Sequence, residues 1–244
     1  MAWLATTYRK LGKYTEAEKL EIQVLDVRNR TLGAEHPYTI SATACLATTY
    51  RKLGKYTEAE KLDIQVLDAW NRILGLEHPE TIKAMKNLAL TYQNLGKYTE
   101  AEKLGIQVLD ARNRVLGVEH PKTIRAIANL AATYQHLGKY TEAEKLEIQV
   151  LDARNRILGL EHPETIKAMT NLASTYSNLG KYTEAEKLEI QVLDTRNRIL
   201  GAEHPKIIRA MEKSSSNIST PGKIHRGREA GDSSSGCKKQ NSWC

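Results

Sequence analysis

The sequence predicts an all-α solenoid, and three observations lead to that prediction. The string Leu-Gly-Lys-Tyr-Thr-Glu-Ala-Glu-Lys-Leu occurs five times, its glycines 42 residues apart from Gly12 to Gly180. The string Leu-Gly-x-Glu-His-Pro also occurs five times at the same period, from Pro37 to Pro205. Each unit carries two segments with apolar residues at helical spacing and no strand-like alternation. Units of this kind bury their apolar faces by stacking on their neighbours.

The first helix of each unit, helix A, is well defined between Pro79 and Gly96. Pro79 suits the first position of a helix, where its missing N–H would have no partner. Gly96 can take the left-handed conformation that ends a helix. The apolar residues between them recur at steps of three and four: Ile82, Met85, Leu88, Ala89, Tyr92 and Leu95.

The second helix, helix B, is expected to begin at a capping box made by Thr99 and Glu102, which satisfy each other's free backbone N–H groups. An apolar stripe follows, formed by Ala101, Leu104, Val108, Ala111 and Val115. Ile106, Leu109 and Leu116 widen this stripe, which predicts that helix B is contacted on two sides. Gly117 closes the helix, and Pro121 opens the next helix A.

The motif Leu88-Ala89-x-x-Tyr92, followed by Gly96-x-Tyr98-x-x-Ala101 and Leu109, resembles the tetratricopeptide repeat. The 42-residue unit with Leu-Gly-x-x-His-Pro at its turn is similar to the repeats of kinesin light chains. Comparable arrays occur at the C-terminal ends of nucleotide-binding signalling proteins of fungi and bacteria. The resemblance implies a right-handed α-solenoid of antiparallel helix pairs, a tetratricopeptide-like superhelix.

One position departs from the family pattern. Many tetratricopeptide B helices carry a bulky aromatic residue where this chain has Glu21, Asp63, Gly105, Glu147 and Glu189. Because four of the five residues are acidic, we expect this position to lie outside the core. Glycine within a helix costs about 1 kcal/mol relative to alanine, so we expect the helix that contains Gly105 to be the least stable B helix.

The repeats divide the chain into two parts. Residues 1–213 form an array of about five units whose first helix is truncated, since Trp3 occupies the place of Cys45 and Asn87. This start inside a helix predicts a fragment of a larger protein. Residues 214–244 are rich in Ser, Gly, Lys and Arg, which predicts a low-complexity, basic and disordered tail.

Composition excludes several classes of partner and compartment. Of the net charge of +7, more than half lies in the tail, where six basic residues from Lys213 onward face two acidic ones; we therefore expect no specific nucleic-acid binding. No apolar run approaches the roughly 20 residues of a membrane span. The cysteines, Cys45, Cys237 and Cys244, are too far apart for a disulfide framework. These features favour a cytoplasmic protein.

No motif points to catalysis, so we expect no enzyme, no cofactor and no metal site. A phosphate-binding glycine loop and a nucleophile elbow are both missing from the sequence. One histidine recurs in every unit at the turn before helix A, which favours a turn or cap role over metal binding: His36, His78, His120, His162 and His204. The paired Glu100 and Glu102 suit the positive end of the helix dipole.

The resemblance implies that the A helices line a groove in which partner segments lie. One outward position reads Ser41, Lys83, Arg125, Lys167 and Arg209, and another reads Asn87, Asn129 and Asn171. Asparagine amides can pair with an extended backbone, and the cations favour acidic side chains. The candidate groove residues are Lys83, Lys86, Asn87, Arg125, Asn129, Lys167, Asn171 and Arg209.

These features predict a non-catalytic protein–protein interaction scaffold that binds an extended, acidic peptide segment. Two alternatives remain open. The array is also consistent with the C-terminal sensor of a nucleotide-binding signalling protein, or with a kinesin-light-chain-like cargo adaptor that lacks its coiled coil. The sequence does not determine the partner or the oligomeric state.

Overall fold

The computed structural model describes residues 1–200. Arg209, His204 and the tail predicted for 214–244 lie outside them. The described residues form ten α-helices in which A and B alternate: α1 Ala2–Lys10, α2 Tyr14–Leu32, α3 Pro37–Lys52, α4 Tyr56–Leu74, α5 Pro79–Asn94, α6 Tyr98–Leu116, α7 Pro121–His136, α8 Tyr140–Leu158, α9 Pro163–Asn178 and α10 Tyr182–Leu200. Each helix packs against the ones before and after it, so the helix pairs stack in sequence order.

The turns form as their residue types predict. Gly96 ends α5 with a φ of 74°, and Gly117 ends α6 with a φ of 83°, a region that side-chain-bearing residues rarely adopt. The Lys97 N–H donates to the Tyr92 carbonyl oxygen at 2.9 Å across the first of these turns. This bond satisfies a carbonyl that the end of the helix would otherwise leave free.

The repeated histidine caps helix A, as the sequence predicted. His78 precedes α5, and its Nδ1 accepts the Glu80 N–H at 3.2 Å. His120 accepts the Lys122 N–H in the same way at 3.1 Å. The first turn of a helix has free N–H groups, so each histidine satisfies one of them.

The expected capping box at helix B is wrong. Helix α6 begins at Tyr98, with Lys97 as its N-cap, and no side chain caps it. Thr99 therefore lies inside the first turn, too late to cap it. The Glu102 carboxylate accepts instead from Lys139 Nζ of the next unit at 2.7 Å. A contact between units has taken the place of the local one.

The core lies between helices of neighbouring units. Ile82 and Met85 of α5, Val108 and Ala111 of α6, and Ala126 of α7 are buried in one cluster. Leu109 packs against this cluster and also against the next one, so helix B has neighbours on both sides, as predicted. The expected stripe was nevertheless too wide, because three of its residues are exposed: Ile106, Val115 and Leu116.

The A helices of successive units approach closely. Helix α3 contacts α5 directly, and the short side chain of Gln93 on α5 reaches the Asn129 carbonyl oxygen of α7 at 3.4 Å. The B helices are joined between units by the ends of long side chains, such as Lys139 to Glu102. The A helices of these units therefore contact one another directly, whereas the B helices are linked through the ends of long side chains. Among residues 1–200, no helix is both long and apolar enough to cross a membrane.

Candidate binding groove

The row of cations predicted on the A helices is exposed to solvent. Lys83 of α5, Arg125 of α7 and Lys167 of α9 occupy the same position of successive units, and all three are exposed. Lys83 pairs with Glu80 on its own helix at 3.0 Å. Within residues 1–200, Arg125 and Lys167 have no carboxylate at ion-pair distance, so their charge is available to a ligand.

The asparagine position lies four residues further along each A helix. Asn87, Asn129 and Asn171 are half-buried. Their backbone carbonyl groups accept hydrogen bonds from the preceding A helix: Arg51 Nη1 reaches that of Asn87 at 3.1 Å, and Gln93 Nε2 that of Asn129 at 3.4 Å. Among the described residues, no hydrogen bond uses the three side-chain amides. The backbone of each asparagine is held, and its amide is available.

Lys86 differs from the other candidates because it is half-buried among cations. Burial is the largest cause that lowers its pKa, and the charge of Arg112 adds to the effect. Arg51, Lys83 and Arg125 lower that pKa further. Crowding like charges in a partly buried place is unfavourable, and a bound anion would relieve it.

Sequence analysis missed two arginines of helix B that belong to this surface. Arg112 and Arg154 are buried, and each donates to a backbone carbonyl in the first turn of the next helix A. Arg154 Nη1 lies 2.8 Å from the Glu164 carbonyl oxygen, and Arg112 bonds to that of Lys122. The sequence feature that could have revealed them is the repeated string Asp-Ala-Arg-Asn-Arg. Its first arginine joins helix B to the following unit.

The residues described contain no group of three or more His, Cys, Asp and Glu side chains placed to hold a metal ion. Four of the repeated histidines each cap a different helix. Their roles are separate and structural.

Comparison with known proteins identifies the family. Models of the tetratricopeptide repeat match residues 4–38, 39–114, 84–155 and 123–198, which together span most of the chain. The chain belongs to the tetratricopeptide repeat family. No match was found among curated proteins.

Solved tetratricopeptide-like structures resemble the chain over most of its length. A kinesin light chain-like protein of Podosopora anserina, with nearly identical TPR-like repeats, is 32% identical, covers 82% of this chain and 94% of its own, and has a TM-score of 0.74. BtubC (BKLC) from P. vanneervenii is 20% identical over 95% and 85%, with a TM-score of 0.67. The apo form of RapI is 11% identical over 89% and 81%, with a TM-score of 0.71; these two show the fold alone. The right-handed α-solenoid of antiparallel helix pairs is confirmed.

The tetratricopeptide array buries the acidic position that we expected to lie outside its core, so that expectation is wrong. Glu21, Asp63 and Glu147 are 5%, 2% and 5% exposed, whereas Glu189 in the last described helix is exposed. Helix A supplies their partners. Arg51 Nη1 lies 2.7 Å from Asp63 Oδ2. A polar partner on the facing helix allows this acidic residue to be buried.

The buried acids differ in how their charge is balanced. Arg9 lies 3.4 Å from Glu21, and Arg51 faces Asp63. Glu147 has a neutral residue in place of the arginine: Gln135 Nε2 donates to Glu147 Oε1 at 2.9 Å. Burial raises the pKa of Glu147 to about 7, and a hydrogen bond with Thr175 opposes this rise. The tetratricopeptide repeats are therefore nearly identical in sequence but differ in whether a cation balances the buried acid.

Proposed function

We propose that this tetratricopeptide array is a non-catalytic scaffold that holds an extended, acidic protein segment along its A helices. The observation that carries the proposal is the pairing of two unused features on the same helices. The amides of Asn87, Asn129 and Asn171 make no hydrogen bond within residues 1–200, and Arg125 and Lys167 beside them have no counter-ion there. Amides can bind an extended backbone, and the cations attract its acidic side chains.

The Lys86 region supports the acidic character of the partner. Burial lowers the pKa of Lys86, and the charges of Arg112 and Arg125 lower it further. Burial also lowers the pKa of Arg112, and the charge of Arg125 adds to that effect. Arg112 is also buried, so water screens its charge poorly. A carboxylate placed between these groups gains attraction from all of them, which a neutral segment would not.

Charge reversal of the groove tests the proposal. A labelled extended peptide of alternating Asp and Ser should bind the wild-type protein, and the affinity should fall as salt rises. The triple variant K83E/R125E/K167E should bind at least tenfold more weakly, measured by fluorescence anisotropy. Loss of about 1.4 kcal/mol corresponds to this factor.

A matched control uses lysines on the B helices. Lys61, Lys103 and Lys145 are exposed and occupy one position of successive B helices. The triple variant K61E/K103E/K145E has the same net charge as the groove variant. If it weakened binding equally, or if the groove variant bound as tightly as wild type, the groove would not be the binding surface.

A cargo adaptor is the second candidate, and the likeness to the kinesin light chain-like protein of Podosopora anserina favours it. A cargo adaptor would be distinguished from a free-standing scaffold by the protein sequence upstream of Met1. Sequencing of the native transcript tests it. Upstream heptads would support the adaptor, and an upstream phosphate-binding loop would instead indicate the sensor of a signalling protein.

A further inference from the structure

The acidic position of helix B is a repeated hydrogen-bonding site in which one unit lacks its acid. In the α4 unit, Asp63 Oδ2 accepts from Arg51 Nη1 at 2.7 Å and from the Thr91 hydroxyl at 2.6 Å. In the α8 unit, Glu147 Oε1 accepts from Gln135 Nε2 at 2.9 Å. Both carboxylates are therefore held by a side chain of helix A, and Asp63 also by the threonine of the next helix A.

In α6 the donors are present but the carboxylate is missing. Gly105 stands at the acidic position. Gln93 Nε2 donates to the Thr133 hydroxyl oxygen at 2.6 Å, and the Thr133 hydroxyl donates to the Asn129 carbonyl oxygen of its own helix at 3.1 Å. In the α4 unit, the corresponding Thr91 hydroxyl lies 2.6 Å from Asp63 Oδ2 and 3.2 Å from the Asn87 carbonyl oxygen, so the same hydroxyl has a carboxylate as well as a backbone acceptor. Thr133 could likewise donate to an acid brought from outside.

A cavity of about 20 Å³ remains where the acid would be. It opens between α5, α6 and α7 and is lined by Lys86, Gln93, Gly105, Asn129 and Thr133, among others. This volume suffices for about one water molecule or for the end of a polar side chain. Asn129 and Lys86 are groove candidates, so the cavity adjoins the surface proposed to hold the partner.

The charges around the cavity favour an anion. In the described units, this repeat position holds Ala44, Lys86, Ala128 and Thr170, of which only Lys86 is charged. Lys86 lines the cavity in the one unit where the acid is missing. Asp63 also faces Lys86: burial raises the pKa of the Asp63 carboxyl, and the charge of Lys86 is one of the causes that oppose this rise. Asp63 already has Arg51 as its ion-pair partner, so Lys86, Arg112 and Arg125 leave an excess of positive charge.

We propose that the cavity at Gly105 receives an acidic side chain of the bound segment, whose carboxylate replaces the one that the other units supply themselves. The inference rests on the proposed function and adds that the bound segment occupies one fixed position along the A helices. One carboxylate of the partner is held by Thr133, Gln93 and Lys86, while the asparagine amides hold the backbone on either side.

A side chain can be introduced at position 105 to close the cavity. A Cβ atom there would meet Leu130 Cδ1 at 3.1 Å, which is close but concerns the end of a flexible side chain. Leu88 and Leu172 hold the position of Leu130 in units with Asp63 and Glu147, and both are buried. The repeat therefore accommodates a leucine and a longer side chain together.

Two variants fill the cavity. G105Q fills it with a neutral side chain, and G105E fills it with a carboxylate. We expect both to bind the Asp-Ser peptide about tenfold more weakly than the wild-type protein, because the added side chain keeps the partner's carboxylate away from Thr133, Gln93 and Lys86. Circular dichroism and thermal unfolding check that each variant folds.

The outcomes distinguish this inference from the proposed function. Equal affinity of G105Q and the wild-type protein, with binding still lost in K83E/R125E/K167E, would overturn the cavity site alone. Absence of binding by the wild-type protein would overturn both proposals. If G105Q does not fold, T133V removes a donor without filling the cavity. About fivefold weaker binding by T133V supports the site, and unchanged affinity overturns it.

Discussion

The guanidinium of Arg51 and the carboxylate of Asp63 form an ion pair between α3 and α4, with Nη1 and Oδ2 2.7 Å apart and side-chain exposures of only 11% and 2%. The same Nη1 atom reaches the Asn87 carbonyl oxygen of α5 at 3.1 Å. One arginine thus connects three helices of two units. This contact links the buried polar layer of the array to the asparagine position of the candidate groove.

Removal of Arg51 should destabilise the second unit strongly. R51M leaves the Asp63 carboxylate buried without its cation, which typically costs about 3–5 kcal/mol. Denaturant unfolding followed by the fluorescence of Trp70 measures this, because Trp70 is buried in α4. The double variant R51M/D63N should recover part of the loss. If R51M alone unfolded at the wild-type midpoint, the ion pair would have no stabilising role.

Replacement of Glu147 by Gln should stabilise the protein increasingly as pH rises. The folded pKa of about 7 lies above the ordinary value of 4.5, so the folded state binds more protons and loses stability between these two values as the pH increases. E147Q removes this loss. Its advantage should be near zero at pH 4 and reach about 3 kcal/mol above pH 7.

The pH dependence of the difference between E147Q and wild type is the measurement, obtained from thermal unfolding at several pH values. E142Q in the exposed first turn of α8 serves as the control. A constant difference from pH 4 to pH 8 would mean that Glu147 does not carry a raised pKa.

Replacement of Gly105 by Ala should stabilise α6. Alanine is favoured over glycine in a helix by about 1 kcal/mol, and the 3.1 Å contact with Leu130 reduces that gain. Hydrogen exchange should show α6 as the fastest-exchanging B helix of the complete inner units in the wild-type protein, and slower exchange in G105A. Exchange of α6 as slow as that of α4 and α8 would contradict this prediction.

Some features of the candidate groove could be predicted from the sequence and some could not. The exposed Lys83, Arg125 and Lys167 and the three asparagines follow from their period and from the family resemblance. Arg112 was missed because its role depends on the Lys122 carbonyl group of the next helix, a partner that no spacing within α6 reveals. Asp63 was misjudged because a carboxylate is expected to face water unless a buried partner is known, and Arg51 is that partner.

The sequence by itself determined the 42-residue period, the alternation of two helices, the glycine turns and the histidine caps, because these depend on residues close together in the chain. Only the tertiary structure decided what fills the space between units. It placed Glu147 against Gln135, drew Glu102 away from the local cap to Lys139, and left a cavity at Gly105. Such contacts join residues 12 to 40 positions apart, and their energy depends on burial, which local sequence does not specify.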